Sequence, residues 1–145
     1  MSLSRLRKAL ALGGTERCVA IQAAALVPVA ALAVSLVPVE RAITLVAGLP
    51  GPRAPLPVLA VARLVDAVTT GVGASCLVRA IVLHAVLARQ GQTSAVVIGA
   101  ARAGGGMRAH AWVEQHERIV SVDGAGGCAP LCRVQAGRLI RVPAA

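Results

Sequence analysis

The chain has 145 residues, enough for one domain that buries roughly two-thirds of the surface its unfolded form exposes. It is 57% hydrophobic with no Phe, no Tyr and one Trp, so it is not a disordered chain and its core must be aliphatic. The net charge of +9 suits an acidic partner or an anionic surface, but the basic residues are scattered and no rings are present for base stacking, which argues against a dedicated nucleic-acid binder.

The opening "SRLRKALAL", residues 4–12, mimics the basic region of a signal peptide, yet Glu16 and Arg17 break the apolar run that should follow, so secretion is not expected. From Cys18 to Val39, "CVAIQAAALVPVAALAVSLVPV" carries no charge and is long enough to span hydrocarbon as a helix. Pro28 and Pro38 interrupt it and its small residues suit close helix packing, which predicts two shorter buried helices, with a membrane-associated segment as the rival. "AGLPGPRAPLP", residues 47–57, then reads as a loop. An apolar helical part over 1–57 therefore precedes a second part, 58–145, the two forming one compact domain.

"VLAVARLVDAVTTGVGASCLVRAIVLHAVLARQGQ" holds two helical patterns separated by "TTGVGAS", the second opening at Ser75 or Cys76 and stopped by Gly91. Leu77, Ala80, Ile81, Leu83, His84 and Leu87 share one broad stripe, with Arg79 and Arg89 elsewhere on the wheel. Cys76 thus sits in the first turn of a buried helix, where unpaired N–H groups and the helix dipole favour a thiolate and offer donors to an oxyanion. The competing reading is a small buried hydrophobe. His84 lies two turns deeper, about 12 Å along the axis, too far to activate Cys76.

"TSAVVIGAAR", residues 93–102, reads as a buried strand running into the Gly-rich "AGGG". "RAHAWVEQ", 108–115, and "RIVSVDG", 118–124, read as two more, with His110, Trp112 and Glu114 on one face and Ala111 and Val113 on the other. If His116 and Glu117 form a two-residue turn, Gln115 opposes Arg118, Trp112 opposes Ser121, and His110 opposes Asp123 within hydrogen-bonding reach. Neither turn residue favours the positive φ such a turn needs, and Asp123-Gly124 also reads as a plain turn. The four cysteines, Cys18, Cys76, Cys128 and Cys132, show no disulfide framework, and the Cys128/Cys132 spacing is not that of a zinc site. Reduced thiols in a cytoplasmic protein are expected, with no metal and no cofactor.

"ASCLVRAIVLHAVLARQG", the strand ending "VVIGA", and "RAHAWVEQ" followed by "VDG" together resemble the B2 proteins of lasso-peptide biosynthesis. These are leader peptidases with a core similar to transglutaminase and papain-type folds. The resemblance implies an α+β fold with an N-terminal helical part, a catalytic helix and a small antiparallel sheet. It also implies a catalytic Cys76, His110 and Asp123, although Asp123 follows its histidine by one residue more than is usual in the family. Further implications are a lasso precursor as substrate, a separate B1 protein that recognises its leader, and a separate asparagine-synthetase-like lasso cyclase. The helical part fills everything before Cys76, so the stand-alone form is expected. Two rivals stand beside this cysteine peptidase: transglutaminase- or amidase-type acyl transfer by the same triad, and a non-enzymatic membrane-associated scaffold.

Overall fold

A computed structural model of the protein describes residues 12–143; most of the basic, signal-like opening stretch lies outside them. Four helices, α1 (Gly14–Leu36), α2 (Val39–Gly48), α3 (Val58–Gly71) and α4 (Cys76–Arg89), precede five strands, β1 (Ala95–Ala103), β2 (Gly106–Gln115), β3 (Arg118–Ile119), β4 (Ala129–Gln135) and β5 (Arg138–Arg141). The strands form one antiparallel sheet in the order β3-β2-β1-β4-β5, so the arrangement is α+β.

α4 is the centre of the molecule. It touches α1, α2 and α3 on its helical side and β1 and β2 on the other. Every residue from Ala80 to Leu87 is consequently buried, where the sequence pattern predicts a single stripe. A helix that is apolar all round is one surrounded on all sides. His84 is part of this burial: its Nδ1 pairs with Ser94 Oγ at 2.8 Å, and loss of water pushes the imidazole below its ordinary pKa.

The apolar stretch does not break at Pro28, as its sequence predicts. α1 runs continuously through that proline, and Pro38 instead precedes α2. Proline in a helix removes one backbone bond, to the carbonyl four residues back, here Ala24. Ala24 and Pro28 both lie on the exposed side, where water can take the freed carbonyl. Meanwhile Val19, Ala23, Leu26 and Ala30 keep the opposite face buried on both sides of the proline. Packing thus holds a helix that local chemistry would end. The outward face carries Ile21, Val29, Leu32 and Leu36, and by length and composition α1 is apolar enough to cross a membrane.

The sheet has two unlike faces. Val96, Ile98, Ala111, Val113 and Val134 join the helical core, whereas Val97, Trp112 and Cys128 make a small separate cluster on the outer face. Gly104-Gly105, both at positive φ, close β1 onto β2 in a tight turn rather than the flexible loop the glycines suggest. His116 and Glu117 also adopt positive φ, 48° and 62°, and give the expected Gln115↔Arg118 pairing. β4 and β5 carry no strand signal in the sequence, where the Gly- and Pro-rich stretch around Cys128 masks them.

Two stability measurements follow from this architecture. The left-handed conformation costs an L-residue about 1–2 kcal/mol, so Glu117→Gly should raise the urea midpoint by an amount equal to about 1 kcal/mol; a lower midpoint would show that the turn is not strained. Because burial lowers the His84 pKa in the native fold, the unfolded chain binds more protons on acidification. Stability is then full above the unfolded histidine pKa of about 6.5 and falls below it, by up to about 1.4 kcal/mol per pH unit. His84→Gln should flatten the decline between pH 7 and 5 in urea titrations, and an unchanged slope would assign the effect elsewhere.

Candidate active site

Cys76 is the first residue of α4. The turn before it ends at Ser75 in extended backbone, and Ser75 Oγ accepts from the Val78 N–H at 3.4 Å. The Arg79 N–H makes the first main-chain bond of the helix, to the Ser75 carbonyl at 2.9 Å. Of the first-turn donors this leaves the Cys76 and Leu77 N–H groups with no helical acceptor, two adjacent donors at the positive end of the dipole. That pair is what an oxyanion needs.

A cavity of about 30 Å³ opens beside the thiol, lined among others by Asp66, Thr69, Cys76, Arg79, Ser121 and Asp123. It has room for about one water molecule, so a peptide substrate must lie across its mouth rather than inside it. Arg79 spans the cavity. Its Nη1 contacts Asp123 Oδ2 at 2.7 Å and its Nη2 contacts Asp66 Oδ1, so one guanidinium joins α3, α4 and the turn after β3. Burial pulls the Arg79 pKa down, the two carboxylates more than offset it, and the result is raised above the ordinary value.

The sequence singles out Cys76, His110 and Asp123. The structure brings Cys76 and Asp123 to one cavity but does not link the three residues in one hydrogen-bonded chain. The expected His110–Asp123 cross-strand pair is not formed. The predicted register holds through Gln115↔Arg118 and Glu114↔Ile119 and into the Val120 N–H bond to the Val113 carbonyl, 2.9 Å. There Ser121 Oγ takes the Val113 N–H at 2.7 Å in place of a backbone carbonyl, and a turn closed by the Gly124 N–H on the Ser121 carbonyl carries Asp123 away. A serine side chain thus competes with the ladder and ends β3 after two residues.

His110 instead pairs through Nε2 with the Gly124 carbonyl at 3.2 Å and stacks on Trp112, ring centroids 6.2 Å apart at 23°. It is absent from the cavity lining, where its neighbour Ala111 faces Cys76. Trp112 donates Nε1–H to Glu114 Oε1 at 2.8 Å, and Glu114 is ion-paired with Arg133, so the three polar positions of β2 sit on the outer face as their alternation requires. Trp112 lies against Gly99 of β1, the residue opposite His110. A methyl group there would clash with the Ala129 carbonyl and approach the Trp112 ring to 2.7 Å.

Sequence reasoning missed Arg79 and Asp66. Arg79 was set apart on the helical wheel, although it follows Cys76 by three residues and so shares its face. That spacing was the available signal; Asp66 gave none, because only the packing of α3 on α4 brings it to the guanidinium.

A family model described as transglutaminase-like superfamily matches residues 23–131, from within α1 into β4. Among curated proteins and among solved structures nothing matches.

The β1/β4 pairing shifts register between Ile98 and Gly99, and Gly99→Ala should force apart that bulge and the indole, at about 1–3 kcal/mol. Trp112 is the only tryptophan in the chain, so its emission should shift to the red together with a lower melting temperature. An unshifted spectrum would mean that the Trp112 side chain does not rest on Gly99.

Proposed function

The chain belongs to the transglutaminase-like superfamily, whose members are generally cysteine proteases or acyl transferases, and on that premise we propose that it is a cysteine peptidase that removes the leader from a ribosomally made lasso precursor. The observation that carries the chemistry is Cys76 as the first residue of the surrounded helix, with two unused N–H groups beside it and a carboxylate across the cavity. The finer assignment, to lasso-leader removal, is supported by the "CLVRA" and "AHAWVE" motifs around Cys76 and His110.

In this reading the Cys76 sulfur attacks the scissile carbonyl, and the Cys76 and Leu77 N–H groups receive the oxyanion. His110 takes the thiol proton and returns it to the departing amine, and Asp123 orients the imidazole. Water then attacks the thioester, restores the thiol and releases the leader with a free carboxylate. The core peptide leaves with a free amine for a separate cyclase, and a B1 protein presents the precursor in the cytoplasm. His110 stands on the outer face of β2 and Ala111 faces Cys76, so the proposal requires the backbone of β2 around His110, and not its ring alone, to shift before the imidazole reaches the thiol.

Incubation of the wild-type protein with a lasso precursor and its B1 protein should give two fragments whose masses sum to the precursor plus one water. Cys76→Ala should lower the rate by at least about 1,000-fold, as loss of a nucleophile does in enzymes of this type. Cleavage that survives the substitution would sink the reading. An added amine incorporated in place of water would reassign the same site to acyl transfer.

A further inference from the structure

The reaction as proposed asks Asp123 to orient His110, and the structure shows what orients Asp123. Arg79 holds Asp123 Oδ2 through Nη1 and Asp66 Oδ1 through Nη2, while Thr70 Oγ1 stands 3.5 Å from the same Asp66 oxygen. Asp123 Oδ1 has no hydrogen bond among the described residues. The geometry points to Arg79 as the positioning residue of the site: anchored on α3 by Asp66, it fixes one oxygen of Asp123 and leaves the other without a hydrogen bond.

Three features argue for this role over that of a surface ion pair. The guanidinium side chain is 22% exposed and shares its cavity with Cys76, so it acts at the site and not on its rim. It serves two carboxylates from two different elements, which only a planar fork with separate nitrogens does without distortion. The turn after β3 is held to the helical layer by this contact, because the ladder has already ended at Ser121. Without Arg79 the two aspartates would face each other unneutralised, and the turn carrying Asp123 would lose its fixed point on α4. Arg79 therefore acts through Asp123.

This inference rests on Asp123 serving the proposed triad, and a test without any peptide substrate separates the two. Iodoacetamide reacts with a cysteine by forming a carbon–sulfur bond as iodide leaves, the thiol proton passing to the base. Peptide mass mapping follows Cys76 at pH 6.5, with Cys18, in the distant groove between α1 and residues 49–52, as the internal reference. Asp123→Asn should slow Cys76 alkylation about tenfold, Arg79→Met by a similar factor, and the double variant no more than Asp123→Asn alone. Arg79→Lys, which keeps the charge but cannot hold both carboxylates, should recover part of the rate and remains informative if Arg79→Met does not fold. An equal further loss from Arg79→Met in the Asp123→Asn background would mean that Arg79 acts on the thiol directly, and overturns the positioning role alone. A wild-type rate in Asp123→Asn would remove Asp123 from the triad and the positioning role with it.

Discussion

The complete enclosure of α4 is the constraint on which the rest of the structure depends. A helix buried on every side from Ala80 to Leu87 needs three helices and a sheet to cover it, and the chain supplies them. Its two ends reach the surface, and at the first of them Cys76, Leu77 and Arg79 are half-buried behind a Gly-rich turn that faces outward. The Cys76 thiol is therefore placed where the protein is well packed behind it and open in front of it. Rigid support of this kind keeps backbone N–H donors aimed at one point, which is the requirement for stabilising a transient oxyanion.

Enclosure with an aliphatic composition has a consequence for the helical layer. Ala, Val and Leu are small, so covering α4 takes length of chain more than bulk. α1 accordingly runs 23 residues and passes over a proline to do so. Its buried face is narrow and its outer face stays apolar, which explains why the segment has the composition of a membrane span while being joined to a globular core. The same scarcity of large side chains leaves Trp112 with no place in the main core. It covers the outer face instead, over the gap left by Gly99.

The polar chemistry follows from how the sheet ends. β3 gives up its ladder at Ser121, and the turn that follows is fastened on one side by Arg79 and on the other by His110. Asp123 and Gly124 are adjacent in sequence yet bind to groups on opposite faces of β2. The turn is thus the joint between the helix that carries the thiol and the strand face that carries the imidazole.

The features legible in the sequence are those set by neighbours along the chain. The helix start at Ser75 or Cys76, the period-2 faces of β2 and the turn at His116-Glu117 are all local rules, and the register over Gln115, Glu114 and Val113 follows from the turn. The continuity of α1 through Pro28, the early end of β3, the existence of β4 and β5, and the place of Arg79 between Asp66 and Asp123 are not local. Each is decided by a contact with a distant segment: the buried face of α1 against α3 and α4, a serine hydroxyl against a strand amide, β1 against β4, a guanidinium against two aspartates. The sequence by itself determined which residues could do chemistry and on which element each lies, because side-chain type and periodicity are written into it. Which of them face one another was left to the tertiary structure, since hydrogen bonds and ion pairs between elements form only once burial has brought those elements together.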